Sequence, residues 1–486
     1  MPLTALPNEI LLQISTSLTS PQDLNAVART SSALHALANP LLYRKGTKGK
    51  APAVWWAVEN GRPRTLQLCL DAGFKLWRIR RKLDQGGGGL FHAIVSEDRE
   101  YDSEADDDDD DADMDLDGVV RLLTANGARI DSPNAAGQTA LALAITTNDT
   151  RAIWALLHGS ASLHTQPTLL HLAVAADVSL PILAHLLDNG LTPSLNTRDD
   201  DDLTPLHHAA RHPSPHAESL LTFLLSRGAD LTATTDPTDG TTLLHTLTDT
   251  QTHLIPFLTQ PPCNLDINTR DSTGQTPLHS AARTGEEAVI RALAAAGADI
   301  NPRDQLGMTP LHWILWACGR PCPDNWVMPA LEALVEVGAD VAARNDAGES
   351  VVHLGVQGAR DEDVFGYVLG LKGVEIDGVD GRGWTGLHCA VGGEGGGGEW
   401  RLARLLVRFG ADVRRRTTGG GEGDGAGQTA LHIFAERGEY EPEFLGWLVE
   451  AGLDVHEVDG RGVSAYEYLR RKGMLGMLPG EEGKDS

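Results

Sequence analysis

The chain has 486 residues, of which 41% are hydrophobic, and its 67 acidic against 40 basic side chains give a formal net charge of −27. No apolar run approaches the ~18 residues that cross a bilayer, and so negative a chain repels a phosphate backbone, so neither a membrane nor a nucleic acid is expected as a partner. Five cysteines at scattered positions, with no secretory leader in front of them, predict free thiols in a reducing compartment, the cytoplasm or the nucleus.

Residues 1–45 predict a small domain of three helices. Apolar side chains repeat on one face of the first helix, and Ser20-Pro21 is a helix-start signal for the second, with Ser as the cap and Pro at the first helical position. The apolar positions of the first helix are Leu6, Ile10, Leu11, Ile14 and Leu18. On this pattern alone, the three helices form a cap that shields the segment after them.

The Leu6-Pro7 start, the apolar helix that follows it and the later Asp23-Leu24 resemble an F-box. In that family, the Leu-Pro start and the apolar helix dock onto Skp1, the adaptor of cullin–RING ubiquitin ligases. The resemblance therefore implies a Skp1-like adaptor and its cullin complex as partners. The positions that would make the contact are Leu6, Pro7, Ile10, Leu11, Ile14 and Leu24.

A four-residue phrase, Thr-Pro-Leu-His, recurs along the rest of the chain. It stands intact at residues 204–207, 276–279 and 309–312, and degraded copies stand at five other places. The histidines of successive copies are roughly 33 to 44 residues apart, and Gly-Ala-Asp follows several copies, as at residues 297–299. A regular period of this length indicates an array of repeated structural units.

The residue types of the phrase predict how each unit folds. Thr276 can cap a helix, Pro277 fits the first helical position, and His279 can reach back to the cap as Glu or Gln does in a capping box. A second helix over residues 286–296 then ends at Gly297, which suits a left-handed turn. Because one such unit cannot bury its own apolar face, it must stack on its neighbours.

A unit of about 33 residues with this core resembles the ankyrin repeat. The resemblance implies an all-α protein in which the F-box-like domain of residues 1–45 precedes an ankyrin-repeat solenoid over residues 46–476. The solenoid contains about eleven repeats and a half-repeat joined by short turns and hairpins, and a disordered tail covers residues 477–486. Residues 97–117, with six consecutive aspartates at 106–111, predict a disordered acidic insert, either a solvated spacer or a bait for a basic partner.

No residue pattern points to a catalytic centre, a cofactor or a metal. Four histidines between residues 207 and 216 could suggest metal ligands, but His207 belongs to the capping phrase and two prolines interrupt the helix that would align the others. Cys318 and Cys322 lack the second ligand pair of a zinc site. Nucleophile-elbow, zincin and phosphate-loop motifs are absent from the sequence. We therefore expect that the protein is not an enzyme.

Large apolar and arginine side chains in units eight to ten predict a surface for a protein partner. In ankyrin stacks, the turns and the exposed side of each first helix line a concave face, and Trp and Arg are the residue types that anchor interfaces. The candidate contact residues are Leu306, Met308, Trp313, Trp316, Arg382 and Trp384. The alternative is that the tryptophans pack between repeats.

These features together predict a protein–protein interaction adaptor. The sharper hypothesis is a substrate receptor of an SCF-type ubiquitin ligase, in which the F-box binds Skp1 and the ankyrin repeats bind an unknown protein substrate. The alternative is a scaffold whose F-box-like helices only cap the solenoid and have no role in ubiquitin transfer.

Overall fold

A computed structural model describes residues 52–71, 76, 89–95, 114–164, 166, 168–212, 216–234, 239–261, 263–317, 327–358, 361–393, 400–418, 427–438 and 441–477. The chain divides between Asp230 and Leu231 into two compact units. The three helices expected in residues 1–45 lie outside the described residues. So do Cys318, Cys322 and the run of six aspartates.

Both units are built from short helices. The helices of the first unit are α1 (Pro52–Glu59), α2 (Pro63–Asp71), α3 (Leu116–Ala125), α4 (Ala140–Thr146), α5 (Thr150–His158), α6 (Leu169–Ala175), α7 (Leu180–Leu186), α8 (Pro205–Arg211) and α9 (Ala217–Ser226). The helices of the second unit are α10 (Leu254–Thr259), α11 (Pro277–Thr284), α12 (Glu287–Ala295), α13 (Pro310–Ala317), α14 (Val327–Glu336), α15 (Val351–Gly358), α16 (Glu362–Gly370), α17 (Gly386–Gly392), α18 (Trp400–Arg408), α19 (Ala430–Arg437), α20 (Pro442–Glu450) and α21 (Ala465–Arg471).

The elements alternate between a first helix, which from α6 onward begins at a copy of the recurring phrase, and a second helix. The described residues contain eleven such pairs, followed by α21. In two pairs, the first helix is reduced to a 3-10 turn, His92–Ile94 and Leu243–Thr246. The second helices are α2, α3, α5, α7, α9, α10, α12, α14, α16, α18 and α20.

The part of the chain that the structure describes has no β-strand. Its isolated β-bridges join Arg344 to Ser350, Val379 to Thr385 and Val458 to Ser464, each across one hairpin turn. The fold is therefore all-α with hairpin connections, which confirms the fold class predicted from the repeat. None of the described helices is long and apolar enough to cross a membrane.

The recurring phrase folds as a reciprocal cap at the first helices that it begins, except at α6, where Thr168 makes no side-chain cap bond. At α11, the backbone N–H of Thr276 donates to Nδ1 of His279 at 3.0 Å, and the Thr276 hydroxyl reaches the same nitrogen at 3.0 Å. Because Nδ1 accepts, the ring proton lies on Nε2. The predicted capping box is confirmed, and it recurs at Thr204, Thr242, Thr385 and Thr429.

The second ring nitrogen of these histidines joins one repeat to the next. Nε2 of His279 donates to the carbonyl oxygen of Met308 at 3.1 Å, and Nε2 of His353 donates to that of Trp384 at 2.9 Å. The same bond joins His92 to Gln138, His171 to Thr197, His245 to Gln275, His388 to Arg415 and His432 to Glu457. Each of these imidazoles is therefore bonded to the hairpin of the following repeat, which we call the histidine joint. At His92 and His171, Nδ1 makes no cap bond, and at the other five the joint also links a helix cap to that hairpin.

The apolar core lies between the first and second helices of each pair. The residues predicted for burial in the seventh repeat are all buried, because the spacing of three or four residues turns them to one side of each helix. They are Leu278, Ala281, Ala282, Val289, Ile290 and Leu293. Gly285, with φ of 79°, ends α11 in the left-handed conformation that favours glycine.

The structure describes a few residues at the edges of the two segments that the sequence predicts as disordered, residues 97–117 and 477–486. Asp115 caps α3, since its side chain accepts from the backbone N–H of Gly118 at 2.7 Å, and Leu116 already lies in the helix. An acidic side chain in this place stabilises the helix N-terminus, so residues 114–117 belong to the repeat. At the other boundary, Met477 is in a 3-10 turn, Leu475–Met477.

Candidate partner-binding surface

In the eighth, tenth and last repeats, one aspartate side chain holds the hairpin by hydrogen bonds. Oδ1 of Asp304 accepts from the backbone N–H groups of Leu306 and Met308 at 2.8 and 2.9 Å. Its Oδ2 accepts from Nε1 of Trp313 at 2.8 Å. One carboxylate thus fixes the turn with one oxygen and the first helix with the other. Asp459 does the same, since its Oδ2 accepts from the Tyr468 hydroxyl at 2.9 Å.

Neighbouring hairpin tips are joined through their backbones. The N–H of Asp346 donates to the carbonyl of Leu306 at 3.0 Å, and the N–H of Gly381 donates to that of Ala347 at 2.8 Å. A row of tips held in this way is rigid before any partner arrives, and rigidity reduces the entropy lost on binding.

Leu306 lies on this row of tips, and Met308 does not. The Leu306 side chain is 64% exposed, whereas Met308 is 6% exposed, with its sulfur 3.4 Å from Nδ2 of Asn345. The chain turns back between them, because Asp304 holds both of their N–H groups. Met308 is therefore wrong as a surface contact residue, since its side chain fills the space between hairpins.

The two tryptophans of α13 form one aromatic cluster. Their ring centroids are 5.3 Å apart in a T-shaped arrangement. Trp313 is half-buried and is tied to Asp304, whereas Trp316 is 38% exposed. The cluster therefore offers an apolar face to solvent, and its inner member is held in place by a hydrogen bond.

Arg382 and Trp384 form a second cluster in the tenth repeat. The Arg382 guanidinium lies 5.1 Å from the Trp384 ring centroid, and its Nε donates to Oδ2 of Asp380 at 3.0 Å. The Trp384 ring lies against Gly392, since a Cβ at that glycine would be only 2.6 Å from the ring. Trp384 thus packs within the repeat as well as facing outward, whereas the Arg382 side chain is 62% exposed.

Loss of the hairpin carboxylate in Asp304→Ala is expected to lower the free energy of unfolding by about 2–3 kcal/mol. The substitution removes the partner of two buried backbone N–H groups and of the Trp313 indole, and unmet buried donors of this kind cost ~1–3 kcal/mol. Urea denaturation checks the value. The matched control is Asp346→Ala, whose carboxylate pairs with Arg303 at 2.7 Å at an exposed site and is worth at most about 1 kcal/mol. Equal losses in the two variants would contradict the assigned role.

A buried triad of His353, Asp380 and Cys389 has the residue types of a metal site. Its geometry argues for a structural role. Nδ1 of His353 accepts from the Ser350 N–H, Nε2 makes the histidine joint, and Asp380 pairs with Arg382. Burial raises the pKa of the Cys389 thiol to about 12, which favours the neutral thiol. The triad is therefore explained by the hairpin.

The histidines near residue 207 are likewise used by the repeat. Nδ1 of His207 accepts from the Thr204 N–H at 3.2 Å, and Nε2 of His208 lies 2.6 Å from Oδ2 of Asp199. Asp199 is the hairpin aspartate of this repeat, and its bond to His208 matches the bond of Asp304 to Trp313. No local pattern in the sequence indicates this aspartate bond, because it joins two residues that are nine positions apart on different elements.

Pairs of short antiparallel helices with rigid hairpin tips define the class of a helical repeat protein, whose surfaces hold other proteins. Family models make the assignment specific. A model described as ankyrin repeats in three copies matches residues 243–345, a single ankyrin repeat matches residues 201–236, and an F-box-like model matches residues 3–47. The chain carries an F-box-like domain at its N-terminus and ankyrin repeats after it, and both are interaction modules that typically have no catalytic activity.

Curated relatives match only part of the chain. Alpha-latrotoxin-Lt1a of Latrodectus tredecimguttatus is 28% identical over 136 residues, which is 28% of this chain and 9% of the toxin. Alpha-latrotoxin-Lg1a of Latrodectus geometricus is 27% identical over 152 residues, 31% of this chain and 10% of the toxin. Among solved structures, the ankyrin repeat domain of Bcl-3 is 25% identical, with a TM-score of 0.39, and the match covers 49% of this chain and 97% of that domain.

Proposed function

We propose that the protein is a substrate receptor of an SCF-type cullin–RING ubiquitin ligase, acting in the cytoplasm or the nucleus. The F-box-like domain holds a Skp1-like adaptor, and the ankyrin repeats hold the protein that receives ubiquitin. The residues proposed to contact the adaptor are Leu6, Pro7, Ile10, Leu11, Ile14 and Leu24. The chain brings no catalytic group, because the ligase complex supplies the transfer chemistry.

The observation that carries the proposal is the coupling of an F-box-like domain to an exposed aromatic and arginine surface in one chain. We assign the substrate-binding surface to Leu306, Trp313, Trp316, Arg382 and Trp384. Exposed tryptophan and arginine on a preorganised scaffold are the usual anchors of protein interfaces. Arg382 is held by Asp380 and by the Trp384 ring, so little side-chain entropy is lost when it binds.

Co-purification with Skp1 tests the adaptor half of the proposal. The wild-type chain is expected to retain Skp1, and the double variant Leu6→Asp, Ile10→Asp is expected to lose it by more than tenfold, because two carboxylates would be buried in an apolar interface. The control is Leu306→Ala, Trp316→Ala, which alters only the repeat surface and should retain Skp1 fully.

The same control variant tests the substrate half. An expected substrate co-purifies with the wild-type chain and with the Skp1-binding-defective variant. It is lost from the Leu306→Ala, Trp316→Ala variant. Its cellular half-life should lengthen when the Skp1 contact is broken. If the wild-type chain retains no Skp1, the scaffold alternative is favoured and the ligase assignment fails.

A further inference from the structure

The second helix of the tenth repeat carries three arginines on its solvent face. Leu402, Ala403 and Leu406 of α18 are buried, and the opposite side of the helix carries the exposed residues Arg401, Arg404 and Arg408. Their spacing of three and then four residues places them in one row. No lysine occurs between residues 400 and 416, so the positive charge of this row is made entirely of guanidinium groups.

Aromatic rings bracket the middle arginine. Cζ of Arg404 lies 4.6 Å from the ring centroid of Trp400 and 5.7 Å from that of Trp447 on α20. Cζ of Arg401 lies 5.7 Å from the Trp400 ring. Guanidinium groups stacked on rings keep their planar N–H edges free while their direction is fixed. The row is therefore partly ordered before any ligand binds.

No carboxylate of the described residues neutralises this row. In the described part of the chain, Arg416, close by in sequence, pairs with Glu457. Arg401, Arg404 and Arg408 form no ion pair with a described residue. Exposed acidic side chains do lie on the neighbouring helices, at Glu362, Asp363 and Glu443, and they remain outside ion-pair distance.

The row is electrostatically unfavourable in the isolated chain. Like charges three and four residues apart on a helix repel each other by a few tenths of a kcal/mol per pair. Arg401 also lies in the first turn of α18, where the helix dipole favours a negative side chain. In a chain of net charge −27, an arrangement that opposes helix stability indicates selection for a ligand that relieves the repulsion.

We propose that Arg401, Arg404 and Arg408 form a docking site for an acidic segment of a partner protein. The site recognises carboxylate or phosphate groups, because the guanidinium fork binds both in bidentate geometry. A protein segment fits better than a nucleic acid, since the acidic chain as a whole repels a long polyanion while a short segment meets mainly the local positive field. The site lies on α18, a second helix, whereas Trp313 and Trp316 lie on α13, a first helix, so the two surfaces use different elements.

Fluorescence anisotropy of the full chain with short labelled peptides tests the proposal. The probes are a Glu-rich peptide, a phosphoserine peptide of equal charge and a neutral Gln-rich peptide, each at about 150 mM salt. The wild-type chain should bind the two acidic probes and not the neutral one, and the affinity should fall steeply with added salt. The ranking of the two acidic probes distinguishes carboxylate from phosphate as the preferred group.

The variant Arg401→Gln, Arg404→Gln, Arg408→Gln should weaken binding at least tenfold. Its matched control, Arg121→Gln, Arg129→Gln, Arg151→Gln, removes the same charge from other exposed positions and should change binding less than twofold. The substitutions remove both the repulsion along α18 and the stacking on Trp400 and Trp447, which offset each other, so the melting temperature should change little. A melting curve therefore separates loss of binding from unfolding. Equal weakening by both variants, no binding to either acidic probe, or tighter binding of single-stranded DNA would overturn the proposal.

Discussion

Lowering the pH from about 7.5 to about 4.5 is expected to unfold the ankyrin repeats. Burial, as the largest cause, lowers the pKa of eight histidines in the first helices and the 3-10 turns that replace them, and it lowers those of His312 and His388 to about 4. The other six are His92, His171, His245, His279, His353 and His432. In the unfolded chain each titrates near 6.5, so between these values the unfolded state binds more protons and is favoured.

The stability that these histidines contribute is lost over a defined range of pH. Each neutral histidine contributes its full stability above about pH 6.5, and the contribution falls as the pH drops towards the folded-state pKa. For His388, a gap of roughly two units corresponds to about 3 kcal/mol. Because repeats contact only their neighbours, losses at several of them destabilise the whole array. Circular dichroism melts across this pH range measure the effect.

A glutamine at the joint provides the control for acid unfolding. Glutamine can serve in a capping box and does not titrate, so His388→Gln should be less stable than wild type at neutral pH and lose less stability on acidification. Hydrogen bonds lower the pKa values of the Asp199 and Asp459 carboxyls, so these groups stabilise the fold throughout this pH range and lose their contribution only when the pH falls below that of an ordinary aspartate. A melting temperature that stays constant between about pH 7.5 and 4.5 would rule out the histidine explanation.

The substitution Gly358→Ala is expected to move α13 away from α15. We expect it to lower the free energy of unfolding by about 3 kcal/mol or more. A Cβ at this buried position would collide with the backbone carbonyl oxygen of Leu315 and lie 3.0 Å from Cα of Trp316. Backbone cannot rotate away as a side chain can, so the two helices must move apart, and overpacking of this kind is destabilising. Urea denaturation of Gly358→Ala gives the magnitude.

The displacement should also reach the partner surface, because α13 carries Trp313 and Trp316. Hydrogen exchange in residues 310–317 is expected to accelerate in Gly358→Ala. The matched control is Gly446→Ala in α20, where a Cβ meets nothing within 4 Å. That change should stabilise the protein by ~0.5–1 kcal/mol, since alanine loses less conformational entropy than glycine in a helix. Similar destabilisation by both substitutions would show that close approach is not the cause.

The parts of the fold that depend on neighbouring residues in sequence were predictable. The cap at Thr276, the reach of His279 and the glycine that ends α11 involve contacts of three or four residues, which sequence spacing encodes directly. The apolar faces of α11 and α12 follow from the same spacing. For the F-box-like segment, sequence and family resemblance are the basis of the interpretation, since residues 1–51 are outside the described part.

The candidate surface was harder to predict, because exposure depends on the path of the hairpin. Leu306 and Met308 are two residues apart and similar in character, yet one is exposed and the other buried. The difference comes from the turn that Asp304 imposes, which no local pattern of apolar residues reveals. Gly358 likewise looks like any helical glycine in the sequence. The requirement for glycine comes from the backbone of α13, which lies too close to this position to leave room for a side chain.

The histidine joints also give the array a direction. In each of the seven joints, Nε2 donates to a carbonyl of the repeat that follows it in the chain. A repeat that carries such a histidine therefore has its buried donor satisfied only when the next repeat is folded against it. At α21, Glu467 stands three residues after the Ser464 cap, where His279 stands after Thr276. A carboxylate has no N–H group that must find an acceptor in a following repeat, so α21 carries no histidine joint.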